Sequence, residues 1–132
     1  MKVIIAGGRD YRFTPADRRW LDGLGITGVI TGGARGADEC AEKWADERGI
    51  QCDVYRAQWD RHGRGAGHIR NRQMADVLAQ LDGPKAVILF PGGRGTASMR
   101  REAERAGLRV IGECSTQGEL GLDERTLLVI EE

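Results

Sequence analysis

The chain has 132 residues, with 20 basic and 20 acidic side chains and a formal net charge of zero. That length suits one domain whose core stands without disulfide or metal support, and the even charge balance disfavours a nucleic-acid partner recognised by overall charge. The cysteines Cys40, Cys52 and Cys114 show no CxxC spacing, the histidines His62 and His68 complete no metal set, and no apolar run reaches the length of a membrane span; no metal, no cofactor and no membrane partner is expected.

Met1-Lys2-Val3-Ile4-Ile5 runs straight into a strand pattern with no signal-peptide layout, so a cytoplasmic protein is expected. The first strand is predicted over residues 3–6. A helix near 15–24 follows, with Thr14 as N-cap, Pro15 in the first turn and Trp20, Leu21 and Leu24 on the buried side. The second strand is predicted over 28–31, and the clearest helix near 37–48. There Ala37, Cys40, Ala41, Trp44 and Ala45 form one apolar stripe and Gly49 supplies the stop. A third strand over 52–56 leads into a long glycine-rich connection, then a helix near 66–81 with Met74, Val77, Leu78 and Leu81 along one side. A strand over 86–90, a helix near 96–106 burying Met99, Ala103 and Ala106, and a strand over 109–112 complete the pattern. After Cys114 the pattern loosens; residues 126–130 read as an additional edge strand. Strands alternating with helices predict an α/β, Rossmann-like three-layer sandwich around a mostly parallel sheet of about five strands. It is expected as one domain over 1–132, with its core at about 2–114 and a tail at 115–132. The cysteines fit small buried or half-buried side chains.

Right-handed crossovers put every strand-to-helix loop of a parallel sheet on the carboxyl edge, where ligands bind at the switch in strand order. Three such loops are rich in glycine and each carries an arginine: Gly7-Gly8-Arg9-Asp10, Gly32-Gly33-Ala34-Arg35-Gly36-Ala37-Asp38, and Pro91-Gly92-Gly93-Arg94-Gly95-Thr96. Backbone amides at a helix start can cradle an anion, and Arg9, Arg35 and Arg94 can add charge-assisted bonds. The connection after Arg56 offers Trp59, equally readable as a rim aromatic or a stacking surface for a base, and glycines free to wrap a ligand. Arg70 and Asn71, in the first turns of the next helix, are expected to face the pocket.

These motifs, together with Trp59-Asp60 and Ala66-Gly67-His68-Ile69-Arg70-Asn71-Arg72-Gln73-Met74, resemble those of YspA-type members of the SLOG superfamily, the Rossmann-like group that includes the LOG phosphoribohydrolases and the DprA/Smf DNA-processing proteins. The resemblance runs from Val3 to about Ile111 and implies a single domain that binds a nucleotide or nucleotide-derived ligand. LOG enzymes cleave the N-glycosidic bond of nucleoside 5′-monophosphates with an arginine before a lysine and a glutamate three positions past the threonine of their glycine loop. Arg70 matches the arginine, but Asn71 stands for the lysine and Met99 for the glutamate. A thioether cannot handle a proton or offset an oxocarbenium-like charge. A hydrolase reading therefore needs Glu102, one turn further along, or Asp38 or Glu39, as the carboxylate. A third reading, single-stranded DNA binding as in DprA/Smf, would use Trp59 with a track of arginines. The resemblance also implies a homo-oligomer, since apolar helix faces pair in related SLOG proteins, with no stoichiometry fixed.

Overall fold

A computed structural model describes residues 1–112. Its elements, in chain order, are β1 (Lys2–Ala6), α1 (Pro15–Asp22), β2 (Gly28–Thr31), α2 (Ala37–Glu47), β3 (Gln51–Val54), α3 (Trp59–His62), α4 (Ala66–Gln80), β4 (Lys85–Leu89), α5 (Arg94–Arg105) and β5 (Val110–Ile111). The strands form one five-stranded sheet in the order β3-β2-β1-β4-β5, every pair parallel. The order reverses between β1 and β4, which opens the crevice beyond Ala6 and Leu89, the last registered pair of those two strands. The edge strand expected at residues 126–130, and Cys114, lie outside the described residues.

Alternation along the strands builds two cores. Val3 and Ile5 of β1, with Ala86 and Ile88 of β4, pack under α1 and α2 against Leu21, Ala41 and Trp44. Ile4, Val87 and Leu89 point the other way, onto Met74 and Leu78 of α4 and Met99 and Ala103 of α5. Helices on both faces of a parallel sheet make the three-layer sandwich that the alternation of elements predicts. Trp44, nearly fully buried, keeps its indole N–H satisfied by donating to Asp22 Oδ1 at 2.9 Å. At the start of α1, Asp17 N–H donates to Thr14 Oγ1 and Thr14 N–H to Asp17 Oδ2, both at 3.0 Å, a closed capping box. Cys40 and Cys52 are half-buried free thiols. No helix among the described residues is long and apolar enough to cross a membrane.

Element ends shift by one or two residues from the sequence pattern, and three departures bear on the site. Strand β3 stops at Val54, with Tyr55 and Arg56 already in the connection. Helix α5 begins at Arg94, so Gly95 and Thr96 belong to its first turn and the loop before it is shorter than predicted. The connection after Arg56 is not an open wrap: it holds the short helix α3 and a 3-10 turn at Gly63–Gly65.

Candidate functional site

The β1, β2 and β4 loops meet at the crevice and interlock through glycines. A Cβ on Gly7 would lie 2.7 Å from Ala37 Cβ and 2.9 Å from Phe90 Cβ, so this glycine lets α2 pack onto the strand end. A Cβ on Gly8 would lie 2.9 Å from Pro91 O, and one on Gly92 2.6 Å from Gly8 N as well as against Thr96 Oγ1. Gly36 has φ +78°, and a Cβ on it would fall against the carbonyl oxygens of Gly8 and Arg9. Its left-handed backbone and the lack of room both require glycine. The space beside Gly32 is filled by the Arg70 guanidinium. Gly93 and Gly95 differ from all of these: nothing lies within 4 Å of a Cβ built on either.

The same interlocking uses up much of the amide supply. Gly8 N–H donates to Pro91 O at 2.8 Å, Ala34 N–H to Asp38 Oδ2 at 3.2 Å, Gly36 N–H to Glu39 Oε1 at 3.1 Å and Ala37 N–H to Gly8 O at 3.1 Å. Helix α5 is the exception. Gly93 occupies its N-cap with no side-chain cap, and among the described residues no acceptor is bonded to the amides of Arg94, Gly95 or Thr96. Those donors open at the positive end of a twelve-residue helix.

They face a cavity of about 340 Å³. Its wall is made by Gly7, Gly8 and Arg9 from the first loop, Ala34 and Asp38 from the second, Gly93, Arg94, Gly95 and Thr96 from the start of α5, and Arg70, Asn71 and Met74 from α4, with Ala6 at the strand end. Arg70 is half-buried and anchored three ways: Nη1 donates to Gly32 O at 2.5 Å and to Tyr55 O at 3.4 Å, and Nε to Asn71 Oδ1 at 2.9 Å. Burial lowers its pKa from the usual guanidinium value, and the Asp38 carboxylate opposes that shift. Asn71, buried, spends its Nδ2 on Ser98 Oγ at 3.1 Å and Gly95 O at 3.3 Å, which ties α4 to the first turn of α5. Asp38 is 5% exposed, and its desolvation raises its pKa from 3.8 to about 6, against the opposing pull of the Ala34 amide and Arg70.

A second cavity of about 310 Å³ adjoins the first, the two sharing Arg9, Ala34 and Arg70. Gly32, Gly33, Arg35, Arg56, Ala57 and Trp59 complete its wall. Trp59 is half exposed, and Arg56 is held by Nη1 donating to Gly33 O at 2.9 Å.

Of the candidate residues, Asp10, Gly36, Glu39, Gly92 and Glu102 line neither cavity. Gly36 and Gly92 are consumed by loop packing, and Asp10 is exposed beyond the crevice. The Glu102 carboxylate accepts from Arg105 Nε at 2.8 Å, and Arg105 reaches on to Asp76 Oδ1 at 2.7 Å, so a helix-surface network holds Glu102 away. Met99 is fully buried in the core beneath the site. Ser98, which holds Asn71, is the residue that the sequence did not single out; Met74, expected on the apolar side of its helix, also lines the cavity, three and four positions past Asn71 and Arg70 on the same helical face.

Comparison with known proteins now has geometry to rest on. A model described as the YspA, cpYpsA-related SLOG family matches residues 1–62, which carry the first two loops and Trp59. The Gene 61 protein of Mycobacterium phage D29 is 39% identical over 123 residues, covering 83% of this chain and 94% of that protein. No solved structure matches. With the loop motifs, the all-parallel sheet and these two matches in agreement, the chain belongs to the YspA, cpYpsA-related SLOG family.

Proposed function

We propose that the chain is a binding module for a nucleotide or nucleotide-derived ligand, which presents a phosphate to the first turn of α5. The observation that carries this reading is the uncapped start of α5, with Gly93 and Gly95 leaving open space, facing a cavity into which Arg9, Arg70 and Arg94 also bring positive charge. Family membership supports a nucleotide-type ligand and names none. Titration calorimetry against nucleoside mono-, di- and triphosphates tests it. Micromolar to sub-millimolar binding is expected, nearly insensitive to salt when compared with an oligonucleotide; absence of binding at millimolar concentrations of every compound overturns it.

One observation favours a second reading, hydrolysis of the N-glycosidic bond of a nucleoside 5′-monophosphate. Asp38 is a buried carboxylate in the cavity wall whose pKa of about 6 suits a general base near neutral pH. In that role it takes a proton from water as the oxygen bonds to C1′, while the C1′–N bond breaks and the base departs with its bonding pair; the proton that Asp38 took then passes to the base, which restores the carboxylate. Release of free base from AMP, lost in Asp38→Asn and kept in Glu102→Gln, would establish it.

A further inference from the structure

The second cavity carries a charge that a mononucleotide does not use. Among the described residues four guanidinium groups line it, from Arg9, Arg35, Arg56 and Arg70, and no carboxylate does. Among the described residues Arg9 and Arg35 have no acidic partner, while Arg56 and Arg70 are already fixed by backbone carbonyls. Like charges gathered in a concave wall repel one another and are stabilised by an anionic guest. Fixed guanidinium forks lose little freedom when that guest arrives. Trp59 supplies the complementary apolar surface. Its ring lies beside Gly67 of α4, where a Cβ would stand 3.6 Å from Trp59 Cη2, and half of the residue stays exposed beside the cavity. The cavity volume lies within the range that accepts a group of drug-like size.

The boundary between the two cavities is as informative as their contents. Among the described residues only Arg9, Ala34 and Arg70 belong to both, so the wall they share is cationic, where a ligand crossing it would place its most negative segment. We propose that the site is built for a diphosphate-bridged nucleotide: the base stacks on Trp59 in the second cavity, the diphosphate crosses the shared wall at Arg9 and Arg70 with one phosphate reaching the first turn of α5, and the far group occupies the rest of the α5 cavity. This rests on the nucleotide-binding reading and narrows its ligand class to a nucleoside diphosphate bearing a further substituent.

Calorimetry and tryptophan fluorescence with ADP-ribose, AMP and ribose 5-phosphate test it, because Trp44 is buried, Trp20 is packed against the core and Trp59 is half exposed. ADP-ribose should bind at least about tenfold tighter than AMP and quench Trp59, a margin expected of one base stack together with added charge-assisted bonds. Trp59→Ala should shrink the ratio of ADP-ribose to ribose 5-phosphate affinity about tenfold, and Trp59→Phe should restore most of it. Equal affinity for AMP and ADP-ribose, or a ratio untouched by Trp59→Ala, overturns the two-cavity ligand while leaving the nucleotide reading intact. Failure of ADP-ribose to bind overturns the two-cavity ligand, and failure of the whole nucleotide panel with it overturns both. A short single-stranded oligonucleotide binding more tightly than ADP-ribose would overturn it in favour of a nucleic-acid groove.

Discussion

The side-chain oxygen of Asn71 accepts the Nε–H of Arg70 at 2.9 Å, so two consecutive residues of α4 brace each other at the cavity wall. Beyond Asn71 the chain of bonds runs to Ser98, whose hydroxyl also meets His68 Nδ1 at 2.7 Å, and beyond Arg70 to the end of β2 at Gly32. Asn71→Ala should therefore act twice. It leaves buried Ser98 Oγ and Gly95 O short of a donor, costing about 2 kcal/mol in urea unfolding. It also frees the Arg70 fork, so nucleotide affinity should fall more than stability alone explains. A variant as stable as the parent would show that the network is not holding the wall.

Neighbouring glycines separate packing from binding. Gly92→Ala drives a Cβ to 2.6 Å from Gly8 N and should destabilise by a few kcal/mol, roughly the range of overpacked sites. Gly93→Val points into open space, at a φ of −102° that other residues adopt. Its unfolding free energy should drop by no more than about 1 kcal/mol, as at an N-cap position. Ligand binding should nonetheless be lost, because the added methyls occupy the path of a phosphate to the α5 amides. Comparable destabilisation in both variants would remove Gly93 from the site.

Asp38 makes stability depend on pH in a direction opposite to that of a salt-bridged carboxylate. Its folded pKa of about 6 lies above the ordinary 3.8, so between those values the folded protein binds more protons than the unfolded chain. The contribution is complete below about pH 4 and is lost as pH rises through 6, a change of about 3 kcal/mol at most. Asp38→Asn keeps an acceptor for the Ala34 amide and removes the titration. Urea midpoints from pH 4 to 7.5 should show the variant gaining on the parent as pH rises; a gap that narrows instead contradicts the assignment.

Glu102→Gln should leave nucleotide affinity unchanged within twofold, roughly the noise of the titration, and cost less than about 1 kcal/mol, since it weakens only partly exposed pairs with Arg105. Loss of binding in this variant would mean that the carboxylate swings into the cavity after all.

The sheet and its flanking helices were legible because β-branched runs and apolar stripes are properties of short windows. Val3 and Ile5 face one core and Ile4 the other by alternation alone. The three loops at one edge followed from crossover handedness. What each glycine does there was not legible: Gly92 and Gly93 are identical in sequence terms and differ only in whether the β1 loop stands against them. Glu102 shares a helix with Met99, but its direction is set by Arg105 on the same helix and Asp76 on α4, the latter a contact across 29 positions. The raised pKa of Asp38 likewise comes from tertiary burial. Within the 57–65 connection, single-turn α3 and the 3-10 turn are too short for a periodic signal to reveal them.

Gly8 joins the rim through one residue: its N–H donates to Pro91 O of the β4 loop, and its carbonyl accepts from Ala37 at the head of α2 and from Tyr11 further along its own loop at 3.2 Å. Three loops keyed to one residue cannot shift independently. The empty and loaded rims should superimpose, and capture of a small anion would then be timed by diffusion in the arginine field, with no loop closure to wait for.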